Sequence, residues 1–363
     1  MDRRTFIKGA SFAAGTGIAT SALAKPFIAK GILELRMVTC WPKDFPGLGE
    51  GAQRIADRIF QNSGGRILIK VYGAGQLVPA QESFDAVAGG SADLYHGADY
   101  YWHDKHKAYN YFASVPFGMT ADEFNAWVRF GGGQQLWDEL GVAYGVKHMM
   151  AGNTGQQLAG WFTRPINSAQ DLIGLRMRIP GISGEVLRRL GGSAVTIAAD
   201  ELALAMKTGG LDAAEWIGPW SDMRLGLHKV AKYCYYPGFH EPGSARSLGI
   251  NLSLWEGLSK EDRAIIQGAA DAENDVMLGQ FNWHNAQALS QLAKYSGVTM
   301  MEMPQDVMDA FSVMAREVLL DISSESELSR RIHMSYFAAR DNMERWSATS
   351  YLPYMAARMK ANS

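Results

Sequence analysis

One order of elements occurs twice in this 363-residue chain, each time closed by a pair of glycines and an aspartate, and no other feature constrains its fold as strongly. In the first occurrence Leu33, Leu35 and Met37 alternate with Glu34 and Arg36, the period of a strand. Ala52, Ile55, Ala56, Ile59 and Phe60 follow at helical spacing. Ser63-Gly64-Gly65 ends that helix, and Ile67, Ile69 and Val71 alternate as a second strand. A short helix from about Pro79 to Val87 runs into Gly89-Gly90, and Asp93-Leu94-Tyr95-His96 begins a third strand. Strands alternating with helices in this way build a parallel sheet with helices on its faces.

The second occurrence starts at Leu175, Met177 and Ile179, with a helix from Gly184 to Leu190 ended by Gly191-Gly192. Ala194 to Ile197 reads as a strand, and Asp200 caps a helix through Met206. Gly209-Gly210-Leu211-Asp212 then leads into Ala213-Ala214-Glu215-Trp216, in the place that Gly89-Gly90-Ser91-Ala92-Asp93 holds in the first unit. Two such units predict two similar α/β lobes with a cleft between them, a preferred place for a ligand. Lobe 1 is read as residues 25–150, completed by part of 242–300, and lobe 2 as 151–241, with Tyr235 to His240 in a loop that passes back between lobes.

The final third is helical. Ser259 caps a helix predicted over 259–297, with Ile265, Ala269, Ala272, Val276, Trp283, Ala286, Leu289 and Ala293 as its small and apolar stripe. Residues 298–363 continue in helical periodicity, at Val307, Ala310, Phe311, Met314 and Val318 and again from Leu328 to Trp346. Such a tail packs across both lobes or against a second copy of the chain.

Ahead of the first strand, Arg3-Arg4 precede a mild Gly/Ala/Ser/Thr run and an Ala22-Leu23-Ala24 site, so residues 1–24 read as an export signal of the twin-arginine (Tat) type. That run is too short and too broken to span a bilayer, and a mature chain starting near Lys25 is expected in the periplasm. A formal net charge of −2 argues against a nucleic-acid partner. Cys40 and Cys234 are too few for a disulfide framework or a metal–thiolate cluster, and either one bridge or two buried thiols fits them.

Catalytic signatures are missing. Gly73-Ala-Gly75 lacks the third glycine of a dinucleotide loop, and neither a phosphate loop nor a Gly-x-Ser-x-Gly elbow is present. His103-x-x-His106 lacks the spacing of a zinc helix. The better candidates lie in the second unit. Alternation places Arg176 and Arg178 on one face, and Arg178 stands beside Pro180-Gly181 at the carboxyl end of its strand, where open α/β sheets bind ligands. A guanidinium there can hold a carboxylate through two parallel hydrogen bonds. Glu215-Trp216 ends another strand of the unit, Glu241 follows the returning loop, and Gln157 lies in the first crossing between lobes. Carboxylates beside a bound anion require a cation, and oxygen donors suit a hard one such as Na⁺, Ca²⁺ or Mg²⁺.

Over Gly174-Leu-Arg-Met-Arg178-Ile-Pro-Gly181, Gly209-Gly-Leu-Asp-Ala-Ala-Glu215-Trp216, Tyr235-Tyr-Pro-Gly-Phe-His-Glu241 and Gly152-Asn-Thr-Gly-Gln-Gln157, the chain resembles the solute-binding proteins of TRAP (tripartite ATP-independent periplasmic) transporters. It is most similar to the branch that binds 2-oxo acids. The resemblance implies a two-lobed periplasmic binding protein with a hinged cleft and a helix-rich C-terminal tail, which hands its ligand to TRAP membrane subunits and catalyses nothing. It implies that Arg178 grips the substrate carboxylate, with Tyr101, Gln157 and Trp216 also in the pocket. It places Gln157, Glu215, the backbone carbonyl of Trp216 and Glu241 around a metal ion, and it implies a homodimer that the helical tail can supply.

Glu215 and Glu241 against Arg178 and one monocarboxylate leave the site at −1 with Na⁺ and neutral with Ca²⁺, so electrostatics lean to Ca²⁺. The resemblance leans to Na⁺, which is the ion expected here. The reading is a binding protein for a small 2-oxo monocarboxylate, pyruvate or a longer homologue. Its rivals are a 2-hydroxy acid receptor, for lactate with Ca²⁺, and a Tat-exported oxidoreductase.

Overall fold

In the computed structural model, which describes residues 27–29 and 31–361, the first repeat builds half of a six-stranded sheet. The export signal read over 1–24 lies outside the described residues. Ile32–Thr39 runs parallel to Ile67–Tyr72 on one side and to Leu94–Gly97 on the other. Phe27–Ala29 pairs antiparallel with its first residues. The strand alternation sends Leu35 and Met37 to one face, where the helix Leu48–Asn62 covers them with Ala52, Ile55, Ala56 and Ile59. Val38 and Tyr95 point to the opposite face and a second apolar cluster. Two strands from later in the chain complete the sheet. Ala245–Asn251 lies between Leu94–Gly97 and Val146–Asn153 and is antiparallel to both.

The second sheet has the order Thr299–Glu302, Tyr233–Tyr236, Gly160–Phe162, Ala213–Ala214, Arg176–Arg178, Ser193–Val195. Its last three strands are the parallel set of the second repeat. The chain therefore passes between the sheets after Asn153 and again after Tyr236. Tyr235 and Tyr236 belong to a strand rather than to the returning loop, because Cys234 and Tyr235 pair with Trp161 and Gly160. The region from 298 also opens with a strand, Thr299–Glu302, which pairs parallel with Tyr233–Tyr236. Its Thr-Met-Met-Glu carries no apolar alternation, so only its partner reveals it.

The helix Lys260–Leu292 has 33 residues, and Ser259 Oγ caps it by accepting from the Asp262 amide at 3.0 Å. Its buried face is Ile266, Ala269, Ala270, Glu273, Asn274, Met277, Phe281, Ala288 and Leu292. Of the expected stripe only Ala269 is on that face, while Val276 and Trp283 are exposed at 38% and 65%. The stripe was misplaced because two of the buried positions are polar. Glu273 is held by Arg54 at 2.6 Å, and the Asn274 amide donates to Asn125 at 3.0 Å. Ile266, Ala269 and Ala270 enter the core of the first sheet. Farther along, Phe281 meets Trp220 of the helix Pro219–Arg224, which follows a strand of the second sheet. This one helix therefore braces both lobes. Gln305–Ser324 packs on the second lobe's helix Gly181–Arg189, and Glu327–Thr349 returns to the first, where the Tyr336 hydroxyl accepts from the Met119 amide at 2.9 Å. The helix Tyr351–Ala361 has no buried residue. Among the described residues no helix is long and apolar enough to cross a membrane.

Arg54 and Glu273 tie the long helix to the first lobe. Glu273 is fully buried, and with Arg54 removed only Arg58 at 3.7 Å remains to balance it. Arg54→Met is expected to lower stability by about 2–4 kcal/mol in urea unfolding, since removing one partner strands a buried charge. The Arg54→Met/Glu273→Met double variant should recover most of that loss. A single-variant loss under about 0.5 kcal/mol would place the pair with ordinary surface bridges.

Candidate functional site

Arg176–Arg178 is a three-residue strand whose Met177 enters the core. Arg176 and Arg178 share the other face but meet different surroundings. Arg176 is exposed and grips Asp212 through two bonds at 2.9 and 2.7 Å. Arg178, at the carboxyl end, lies beneath the first lobe and is 1% exposed. Its Nη1 donates to the Glu215 carbonyl at 3.0 Å and to the Glu215 carboxylate. Its Nη2 donates to the Tyr101 hydroxyl at 3.3 Å, and the guanidinium sits 4.8 Å from the centroid of a Trp216 ring. Burial alone would lower the Arg178 pKa, but the Glu215 charge and then Tyr101 outweigh it and raise it. Tyr101 comes from the turn Asp99–Trp102 of the first lobe, so this hydrogen bond spans the cleft.

The lobes also touch where the next helix starts. Gly181 has φ +62, and a Cβ there would lie 2.8 Å from the Asn110 side-chain oxygen and 3.1 Å from Tyr100 Cβ. Any side chain would wedge the lobes apart and strain the turn.

Gln157 and Glu241 meet between the two crossing segments. Gln157 Nε2 donates to the Glu241 carboxylate at 2.7 Å and to Thr154 Oγ1 at 3.0 Å. The segments approach so closely that a Cβ on Gly238 would fall 2.3 Å from the Gln157 carbonyl oxygen. Glu215, Glu241 and His240 each direct a ligand atom into one small volume, with those atoms within 4.8 Å of one another and all three residues buried. Burial, followed by the charge of Glu215, pushes the Glu241 carboxyl up from its ordinary range. Gln157 Oε1, Glu215 Oε2, His240 Nε2, Trp216 Nε1 and Arg178 Nε are buried with no hydrogen-bond partner. Buried polar atoms are nearly always satisfied, so five unpartnered ones on these residues leave bonding capacity for a ligand. Two carboxylate oxygens and an amide oxygen fit a hard cation, and the guanidinium and indole N–H donors fit an anion beside it.

A narrow pocket adjoins these groups, lined by Trp41, Leu48, Tyr100, Tyr101 and Arg246 of the first lobe and by Arg178, Trp216 and Ile217 of the second. The structure thus brings together Tyr101, Gln157, Arg178, Glu215, Trp216 and Glu241. It adds two residues that sequence reasoning did not single out. His240 immediately precedes Glu241, and its Nε2 lies 3.5 Å from the Glu215 carboxylate. Arg246 interrupts the small and apolar strand Ala245–Asn251 with a charge, which was the available signal.

Other candidates resolve plainly. The Asn110 side-chain amide lies 3.0 Å from His103 Nδ1, whereas His106 Nδ1 accepts from the Ala108 amide at 3.2 Å, so the pair performs local bonding. Cys40 and Cys234 are both free and buried. Burial pushes the Cys40 thiol up to about 12 and that of Cys234 well above its ordinary value. Neither should react with Ellman's reagent in the native protein, and both should react after unfolding in guanidinium. Immediate labelling of the native protein would contradict this burial.

The description "bacterial extracellular solute-binding protein, family 7" matches residues 37–326. A monocarboxylate 2-oxoacid-binding periplasmic protein of Nostoc sp. is 36% identical over 319 residues, covering 88% of this chain and 87% of its own. A TRAP periplasmic solute-binding protein of Pseudoalteromonas atlantica, solved with bound sodium and pyruvate, superimposes with a TM-score of 0.87 at 33% identity, covering 90% of this chain and 99% of its own. One from Colwellia psychrerythraea, solved with bound calcium and pyruvate, gives 0.87 at 34% identity, with the same coverage.

Proposed function

The chain belongs to family 7 of the bacterial extracellular solute-binding proteins, and we propose that its cleft captures a small 2-oxo monocarboxylate such as pyruvate together with a metal ion. It is a TRAP solute-binding protein of the two-lobed type and not an enzyme, which removes the oxidoreductase reading. The observation that carries the proposal is the cluster of buried, unpartnered polar atoms around Arg178, Glu215 and Glu241. Arg178, with Nε unpartnered and Nη2 bonded to the Tyr101 hydroxyl, takes the ligand carboxylate. Trp216 Nε1 and the Tyr101 hydroxyl complete the anion's side. The cation lies among Glu215, Glu241, the Gln157 oxygen and the Trp216 carbonyl, where it supplies the positive charge that lets two carboxylates face a bound anion. Na⁺ is the ion we assign, although relatives have been solved with either sodium or calcium.

The family works outside the cytoplasm and delivers ligands to TRAP membrane subunits. We further propose periplasmic export by the twin-arginine route through residues 1–24. A homodimer formed through the tail is supported by Trp346, Tyr351, Leu352, Tyr354 and Met359, which are 61–70% exposed.

Calorimetry with pyruvate tests the reading. Arg178→Met leaves the ligand carboxylate without its buried partner, a loss of about 3–5 kcal/mol, or about a hundredfold or more in Kd. A loss under about threefold in a folded variant would remove Arg178 from the site. Glu241→Gln should weaken pyruvate and metal together, because each stabilises the other's site. Undiminished pyruvate affinity in rigorously metal-free buffer would rule out the bridging ion.

A further inference from the structure

We infer that Arg246 sets the charge of the cation this cavity accepts and so selects Na⁺ over Ca²⁺. The inference rests on the cation-assisted reading above and assigns a specificity role to a first-lobe residue. Arg246 is 2% exposed, on the strand Ala245–Asn251 that lies second from the edge of its sheet. Its Nη1 donates to Ser244 Oγ at 2.8 Å and to the Ala245 carbonyl at 3.1 Å, and both acceptors are neutral. Its Nε has no partner. Among the described residues no carboxylate comes within ion-pair distance of it, whereas the buried Arg178 has Glu215 and the buried Glu273 has Arg54. The rings of Trp41 and Tyr100, with centroids 5.5 and 6.0 Å away, hold the guanidinium in place but are a weaker compensation than an opposite charge. A buried cation that lines a ligand cavity and makes no ion pair of its own is poised for charge that arrives with the ligand.

The charge balance of the site then changes. With histidines counted as neutral, Arg178 and Arg246 cancel Glu215 and Glu241 in the free site. A monocarboxylate brings it to −1. A monovalent cation restores neutrality, and a divalent one overshoots to +1. Without Arg246 the balance reverses, since Na⁺ would leave −1 and Ca²⁺ would leave zero. Two further buried carboxylates, Asp99 and Asp222, have hydrogen-bond donors of their own and do not belong to the cluster that Glu215, His240 and Glu241 form. Asp99 accepts from Trp137 Nε1 at 2.7 Å, and Asp222 from Trp161 Nε1 at 2.8 Å and from the Ile217 and Gly218 amides. His240, and after it Arg246, favour the charged form of Glu241 against burial and Glu215.

The test titrates pyruvate into metal-stripped full-length protein at matched concentrations of NaCl or CaCl₂, at constant ionic strength. Wild type should bind pyruvate more tightly with Na⁺. In Arg246→Met the ratio of Na⁺-supported to Ca²⁺-supported affinity should move toward Ca²⁺ by roughly tenfold or more, while Arg246→Lys holds the ratio within about threefold. Thermal shift with each salt and no pyruvate should show no reversal, because without the ligand's charge Na⁺ leaves the site nearer neutrality than Ca²⁺ both with Arg246 and without it. If Arg246→Met does not fold, Arg246→Gln keeps the polar shape and carries the same comparison. An unchanged ratio in a folded variant that still binds pyruvate overturns the inference and leaves the function standing, as does a wild-type preference for Ca²⁺. Pyruvate affinity independent of either ion overturns the cation-assisted reading itself, and this inference with it.

Discussion

Glu215 and Glu241 are buried side by side at the junction of two sheets, and no arrangement of neutral groups can hold two such charges there. The architecture around them supplies opposite charge from two directions and a hydrogen bond from a third. Arg178 reaches Glu215 from the neighbouring strand of the same sheet. Gln157 donates to Glu241 from the other crossing segment. Arg246 comes from the first lobe's sheet. The parallel order of the second repeat is what puts Arg178 and Glu215 on adjacent strand ends, so the site follows from the sheet rather than being added to it. The anion and cation proposed for this cavity would satisfy its unpartnered atoms as a group.

That requirement couples ligand to shape. The Arg178–Tyr101 hydrogen bond and the packing of Gly181 against Asn110 and Tyr100 exist only while the lobes are together. A ligand can favour this closed form only through contacts that the open form lacks. In the proposed site, pyruvate between Arg178 and the first-lobe aromatics would provide them, and the cation would add a second set that joins the crossings to the second lobe. The same contacts exclude water, which strengthens each charge interaction inside.

Much of this was legible in the residues. The two βαβ units showed in the alternation of Leu33 to Met37 and of Leu175 to Ile179, because a half-buried strand must alternate. Arg178 and Glu215 stood out by their places at strand ends. Gln157 was noticed only through its place in the first crossing, and Tyr101, in a segment without periodicity, only through the resemblance. The long helix hid its true face because Glu273 and Asn274 are buried with partners far away in sequence, and a pattern of apolar letters cannot record a distant Arg54 or Asn125. Thr299–Glu302 was missed for a related reason, as a strand defined by its neighbour. Arg246 was overlooked because a lone arginine in a strand reads as a surface residue until the fold shows both faces of that strand covered.

The brace has a consequence for how closure is communicated. Lys260–Leu292 is anchored in the first lobe by Ile266, Ala269, Ala270 and Glu273, and farther along it Phe281 packs against Trp220 beyond the second lobe's strand Ala213–Ala214. Met277 fits between these anchors so tightly that a Cβ on Gly152, at the end of the first-lobe strand, would lie 2.4 Å from its sulfur. A rotation of the lobes about the crossings must therefore be taken up near the middle of this helix, where packed side chains have few alternative arrangements. The opposite face of that stretch carries Val276 and Trp283 in the open. A membrane partner resting on it would meet one relation between helix and lobes when the site is loaded and another when it is empty. The polar residues that obscured the helix in the sequence are, on this argument, what holds its readable face outward.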